Sequence, residues 1–165
     1  MNPLKIMLVE DSEVTQATLS QLLGELELEV VNCLTAEDAL EKLQGGPVVD
    51  LIILDFRLPG MSGPKFYRKL KLQENLKGIP VVTFSSRWNS QMKTKESQEW
   101  VAAFLALDFS PDTPGSNTYE VAKEGGEDVS ASPEKLLFVV AKALKENKKV
   151  LPAKFEEFVR QLEKI

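Results

Sequence analysis

The chain has 165 residues, 43% of them hydrophobic, which suits one domain with a substantial core and a short appendage. Against 20 Lys and Arg stand 25 Asp and Glu, and the net charge of −5 argues against nucleic acid or an anionic membrane as an electrostatic partner. Histidine is absent, which removes imidazole bases, His metal ligands and any phosphohistidine relay made by this chain itself, while the single cysteine, Cys33, excludes an internal disulfide.

Leu4 to Val9 (LKIMLV) form a short apolar run ending at the acidic pair Glu10-Asp11, the pattern of a strand buried on both faces of a parallel sheet. An amphipathic helix from about Ser12 follows, with Leu19, Leu22, Leu23 and Leu26 at helical spacing. Leu28 to Cys33 read as a second strand, within which Cys33 is a small buried hydrophobe, consistent with a reducing compartment. Thr35 and Asp38 resemble a capping pair, and Ala36, Ala39, Leu40 and Leu43 line the inner face of a helix that stops at Gly45-Gly46-Pro47.

Val48 to Leu54 (VVDLIIL) carry the strongest buried-strand signal and run directly into Asp55. Beyond the PGMSG turn, Pro64 suits a first helical position, with Phe66 and Leu70 facing inward. Ile79 to Phe84 form a fourth strand ending at Ser85-Ser86. Four alternations of strand and helix predict a doubly wound α/β sheet with right-handed crossovers.

Residues 87–132 are less regular. Trp88 to Leu107 look mainly helical, Asp108 to Ser116 form a loop, and Thr118 to Ala122 suit a short fifth strand leading to Lys123; Val101 to Leu107 are the alternative fifth strand. Ser132-Pro133 start a helix with a Leu136, Leu137, Val140, Ala141 and Leu144 stripe, and a closing helix begins at Pro152 with Phe155, Phe158, Val159 and Leu162 on one side. The Lys145 to Lys149 run reads as a helix end that favours cations. No apolar run approaches the roughly 18 residues of a membrane span, and the N-terminus lacks a signal-peptide apolar region, so a soluble cytoplasmic chain is expected.

Ligands of an open parallel sheet bind outside the carboxyl ends of its strands, near the switch in strand order. Glu10, Asp11, Asp55 and the hydroxyls of Ser85 and Ser86 therefore converge on one edge. Crowded carboxylates take up protons unless a cation neutralises them, and Mg²⁺ is the natural choice because it takes hard oxygen ligands and bridges to phosphate. A carboxylate beside that ion can act as a nucleophile toward a phosphoryl donor.

MLVEDS, then LIILDFRLPGMSG, then IPVVTFSS resemble the signature set of response-regulator receiver domains of bacterial two-component systems, closely over residues 4 to 86. SPEKLLFVVAKAL at residues 132–144 resembles the last helix of that family. The resemblance implies a flavodoxin-like five-stranded parallel sheet of order 2-1-3-4-5. It implies Asp55 as phosphoryl acceptor, Mg²⁺ held by Glu10, Asp11, Asp55 and the Arg57 backbone carbonyl, and Ser85 as the switch hydroxyl. Asp11 is the more direct of the acidic pair, Pro59 and Gly63 shape the turn after the acceptor, and small Ser86 keeps a path open to it.

Lys123 takes the place of the family's phosphoryl-pairing lysine if Thr118 to Ala122 are strand five; Leu107 stands there in the alternative. The switch aromatic is Tyr119 or Phe104 accordingly. The implied partners are a histidine kinase or phosphotransfer protein and a downstream protein bound through the fourth helix, fifth strand and last core helix. Residues 1–149 are expected to form the receiver domain, with 87–132 an enlarged divergent segment, and 150–165 a helical extension that caps it or mediates a homodimer. The rival reading is a pseudo-receiver, a binding module never phosphorylated. Enzyme readings fare worse: a flavin phosphate cradle would be repelled by Glu10-Asp11, and an aspartate-nucleophile phosphatase needs a second aspartate where Arg57 stands.

Overall fold

The computed structural model describes residues 3–46, 48–55, 58–84, 118–120 and 133–163. Along the chain run β1 (Lys5–Val9), α1 (Glu13–Glu25), β2 (Glu29–Cys33), α2 (Ala36–Gly45), β3 (Leu51–Asp55), α3 (Gly63–Lys71), β4 (Val81–Phe84), β5 (Thr118–Glu120), α4 (Pro133–Glu146) and α5 (Ala153–Glu163). The strands form one sheet of order β2-β1-β3-β4-β5, all pairs parallel. This is the flavodoxin-like order the sequence implied, with Thr118–Glu120 beside β4; Val101 to Leu107, the alternative strand, lie outside the described residues.

Side-chain alternation along the strands divides the interior in two. Ile6, Leu8, Leu51, Ile53 and Val82 point to one face, where they meet α1, α4 and α5 through Leu19, Leu23, Leu136, Val140, Leu144, Phe155 and Val159. Met7, Val9, Ile52, Leu54 and Val81 point to the other, under α2 and α3, where Ala36, Leu40, Phe66, Tyr67 and Leu70 cover them. At β1 and β3 both faces are thereby closed to water, and these two strands read as nearly unbroken apolar runs for that reason.

Helix starts follow their capping residues. Ser12, Thr35 and Ser62 each accept a hydrogen bond from the backbone N–H three residues on, at 3.2, 3.1 and 3.3 Å. The first helical residue of α3 is thus Gly63, with Pro64 one place inside it. β1 opens one residue late, at Lys5, and three further strands are also shorter at their starts than the apolar runs suggested. Val48 is exposed, and β3 begins only after Asp50, whose carboxylate accepts from Lys5 N at 2.8 Å. At β4 the strand opens beyond Pro80, which has no N–H to give to the ladder although its carbonyl accepts from Ile52 N at 3.0 Å. Before β2, Glu27 adopts φ 66° and Leu28 N donates back to Leu23 O at 3.1 Å, so Leu28 belongs to the helix-ending turn.

The closing helix buries Phe155 and Val159 against the first face and half-buries Phe158. Its link to α4 includes an ion pair from Lys145 to Glu156 at 3.2 Å, and Lys149 pairs with Asp50 at 3.0 Å. Two lysines of the 145–149 run are therefore committed to the fold. Among the described residues, no helix is long and apolar enough to cross a membrane.

Candidate functional site

The site is built where β1 and β3 stop. β1 pairs with β2 as far as Val9 opposite Cys33, and Glu10 N extends the ladder by donating to Cys33 O at 3.0 Å. The chain then turns sharply, because Ser12 must cap α1; its own N–H donates to Glu10 Oε1 at 3.0 Å. Asp55 is the last residue of β3, in register with Phe84. Adjacent parallel strands that end together bring their terminal side chains together. One carboxylate oxygen each from Glu10, Asp11 and Asp55 lie within 4.8 Å of one another.

Two of these acids are shut off from solvent, and Asp11 is half-buried. Glu10 is 2% exposed and Asp55 5%, buried polar groups in a shell of apolar strands. Burial pushes the Glu10 carboxyl above its ordinary range, the Ser12 N–H partly offsets this, and the negative charge of Asp11 adds to the rise. Glu10 Oε2 is buried and accepts no hydrogen bond among the described residues. A buried carboxylate oxygen in this position wants a proton or a cation. Carboxylates alone make up the cluster, so a small hard cation fits it better than a thiophilic metal. Cys33 offers no thiolate, since burial pushes its thiol up to about 11.

Three sequence-predicted residues, Glu10, Asp11 and Asp55, are thus brought together. Arg57, Ser85, Ser86, Lys123 and both candidate switch aromatic side chains lie outside the described residues, as does the enlarged segment apart from the backbone of β5. Gly60 adopts φ 71°, and Glu37, in the first turn of α2, accepts a hydrogen bond from Met61 N across the loop. Neither Glu37 nor Gln16 figured in the sequence reading. Gln16 Nε2 donates to Cys33 O at 3.1 Å and, at longer range, to Glu10 O at 3.5 Å. Its signal was available: counting back one turn from Leu19 puts a polar residue on the inward side of α1, beside the acidic pair.

Residues 6–113 match the response regulator receiver domain family. The chain belongs to that family. The receiver domain is 33% identical over 106 residues to the two-component response regulator ORR5 of Oryza sativa subsp. japonica, spanning 64% of this chain and 79% of that protein. Among solved structures, a CheY-like response regulator receiver domain protein from Methanospirillum hungatei JF-1 superposes with TM-score 0.66 at 19% identity, covering 89% of this chain and 98% of that one. The receiver domain of sensor histidine kinase PA1611 from Pseudomonas aeruginosa PAO1, a structure with a magnesium ion coordinated in its active site cleft, superposes with TM-score 0.64 at 20% identity over 87% of this chain and 99% of that one. At these identities the structural matches establish the shared receiver fold.

Proposed function

We propose that this receiver domain is a phosphoacceptor switch in which Asp55 takes a phosphoryl group in a Mg²⁺-dependent step and the phosphorylated form changes its protein partners. One observation carries the reading: three carboxylate oxygens from the ends of two adjacent strands within 4.8 Å, two of the acids buried. Glu10, Asp11, Asp55 and the Arg57 backbone carbonyl would hold the ion, with Asp11 a direct ligand. When bound, Mg²⁺ supplies charge neutralisation for the transferred group. Magnesium in the PA1611 receiver domain supports the assignment by analogy of fold.

The chain's own part in the reaction is nucleophilic. A carboxylate oxygen of Asp55 attacks phosphorus, the donor's bond to phosphorus breaks, its electron pair leaves with the donor, and an acyl phosphate remains on Asp55. The apolar strands around the carboxylate exclude bulk water from that mixed anhydride. Ser85 would hydrogen-bond a phosphoryl oxygen and Lys123 would pair with another. About −1.5 to −2 units of new charge at Asp55 bias a two-state surface. A few charge-assisted hydrogen bonds of about 1.5 to 3 kcal/mol each could supply much of the roughly 5.5 kcal/mol needed to invert a 1:99 population.

The donor in this reading is a histidine kinase or phosphotransfer protein, and the readout a downstream protein docked on the face of β5 and the last core helix. As a signalling domain, the chain acts on no substrate beyond its own phosphotransfer and autodephosphorylation. Residues 1–149 are the receiver unit, 87–132 bear on partner choice, and 150–165 form a helical cap. The buried Phe155 and Val159 favour the cap over a homodimer contact. The net charge of −5 argues against nucleic acid or an anionic membrane as partner, and the lone buried Cys33 suits a reducing cytoplasm.

Incubation with acetyl phosphate and Mg²⁺, followed by intact-mass measurement, tests the reading. A gain of about 80 Da, one phosphoryl group, is expected for the wild type and not for Asp55→Asn. No gain, together with no Mg²⁺-dependent change in the protein on beryllofluoride addition, would instead identify a pseudo-receiver.

A further inference from the structure

The β1–β2 pairing ends at Val9 and Cys33, and carbonyls at the end of a ladder need donors from outside it as well. Cys33 O receives two: Glu10 N at 3.0 Å and Gln16 Nε2 at 3.1 Å. The same amide nitrogen lies 3.5 Å from Glu10 O. Gln16 is itself fixed on α1, since its backbone N–H donates to Ser12 O at 2.9 Å. Ser12 in turn donates its N–H to Glu10 Oε1 at 3.0 Å.

Glu10 is therefore held at its backbone N–H, at its backbone carbonyl and at one carboxylate oxygen. Only Oε2 remains, buried and without a hydrogen bond among the described residues. We propose that Gln16 is a positioning residue for the acidic site: its side-chain amide staples α1 to the ends of β1 and β2 and so aims the remaining Glu10 oxygen at the cation position. This inference rests on the Mg²⁺-dependent reading above. Removal of the amide leaves Cys33 O with one donor and Glu10 O with none from α1, and the acidic turn gains freedom to swing its carboxylate away. Outer groups that orient metal ligands characteristically alter affinity by 10- to 100-fold.

The test uses the full chain, as wild type and as Gln16→Met, which keeps side-chain length and removes the donor. Mg²⁺ is titrated while backbone and side-chain amide resonances are followed, and urea unfolding is run alongside. The expected result is a half-saturating Mg²⁺ concentration about tenfold higher in Gln16→Met, with a urea midpoint near that of the wild type. In the wild type itself, Mg²⁺ saturation should also shift the Gln16 side-chain NH₂ resonances; that second readout holds even if the variant fails to fold. Equal Mg²⁺ affinity in the folded variant, or unmoved Gln16 NH₂ resonances in the wild type, overturns the positioning role. A wild type with no Mg²⁺ response anywhere in its spectrum overturns the phosphoacceptor reading along with it, whereas a responsive wild type matched by its variant removes Gln16 alone.

Discussion

Lys71 ends α3 with its ammonium in the wrong medium. The residue is 7% exposed, its Nζ lies 5.4 Å from the centre of the Tyr67 ring and donates to Lys77 O at 3.1 Å. Burial lowers its pKa from the ordinary 10.5 to about 8. At about 1.4 kcal/mol per pH unit, that fall means the folded, protonated domain carries a penalty of about 3 kcal/mol at neutral pH. Substitution Lys71→Met removes the buried charge, keeps an unbranched stem, and forfeits the hydrogen bond to Lys77 O and the cation–π contact with Tyr67, about 1 kcal/mol each. A net stabilisation of about 1 to 2 kcal/mol at pH 7 is expected.

The pH dependence separates this cause from simple repacking. Between about 8 and 10.5 the unfolded chain holds the proton and the folded chain has lost it, so wild-type stability rises with pH across that window. Below pH 8 both states are protonated and the penalty is present in full. The advantage of Lys71→Met should therefore shrink by about 2 kcal/mol between pH 7 and pH 10. Urea unfolding of both proteins at pH 7, 8.5 and 10 reads this directly. An advantage that stays constant with pH, or a destabilised variant at pH 7, would refute the reasoning.

Three further outcomes are expected. Asp11→Asn relieves repulsion in the acidic cluster, so its melting temperature in EDTA should match or exceed the wild type, while the gain on adding Mg²⁺, about 2.7 kcal/mol at 100 times the Kd, should fall markedly; thermal melts with and without Mg²⁺ decide. Gly60→Ala forces an L residue into φ 71° with a Cβ 3.0 Å from Glu37 Oε1, which should cost about 1 to 2 kcal/mol, and a urea midpoint equal to wild type would contradict it. Phe155→Ala opens a cavity in the fully buried seat of the closing helix and should cost about 3 to 5 kcal/mol; a loss under about 1 kcal/mol would mean that α5 is not part of the core.

Much of this was readable from spacing alone. Period-two burial is hidden when both sheet faces are covered, but the apolar runs ending in Glu10-Asp11 and Asp55 marked the strand ends, and three acids at the ends of two strands predicted the cluster. Inward residues of α2 and α4 agree with the stripes read from sequence. What escaped were contacts set by tertiary approach. Nothing local marks Asp50 as the group that accepts Lys5 N, 45 residues away, and so delays the start of β3. Tyr67 reads as a polar aromatic until α3 turns it, fully buried, toward the sheet. Glu37 looks like first-turn helix charge, a role it keeps, until the loop beyond Asp55 arrives at its carboxylate.

The division of the interior into two apolar layers has an evolutionary side. Ile6 and Leu8 belong to one layer and Met7 and Val9 to the other, so the backbone of the sheet works as a partition between two nearly independent packing problems. Helices α4 and α5 can be resized or redecorated on their side without disturbing the helices that wall the opposite side. Such a partition lets one chemical centre, at the rim shared by both layers, be coupled to many different surfaces.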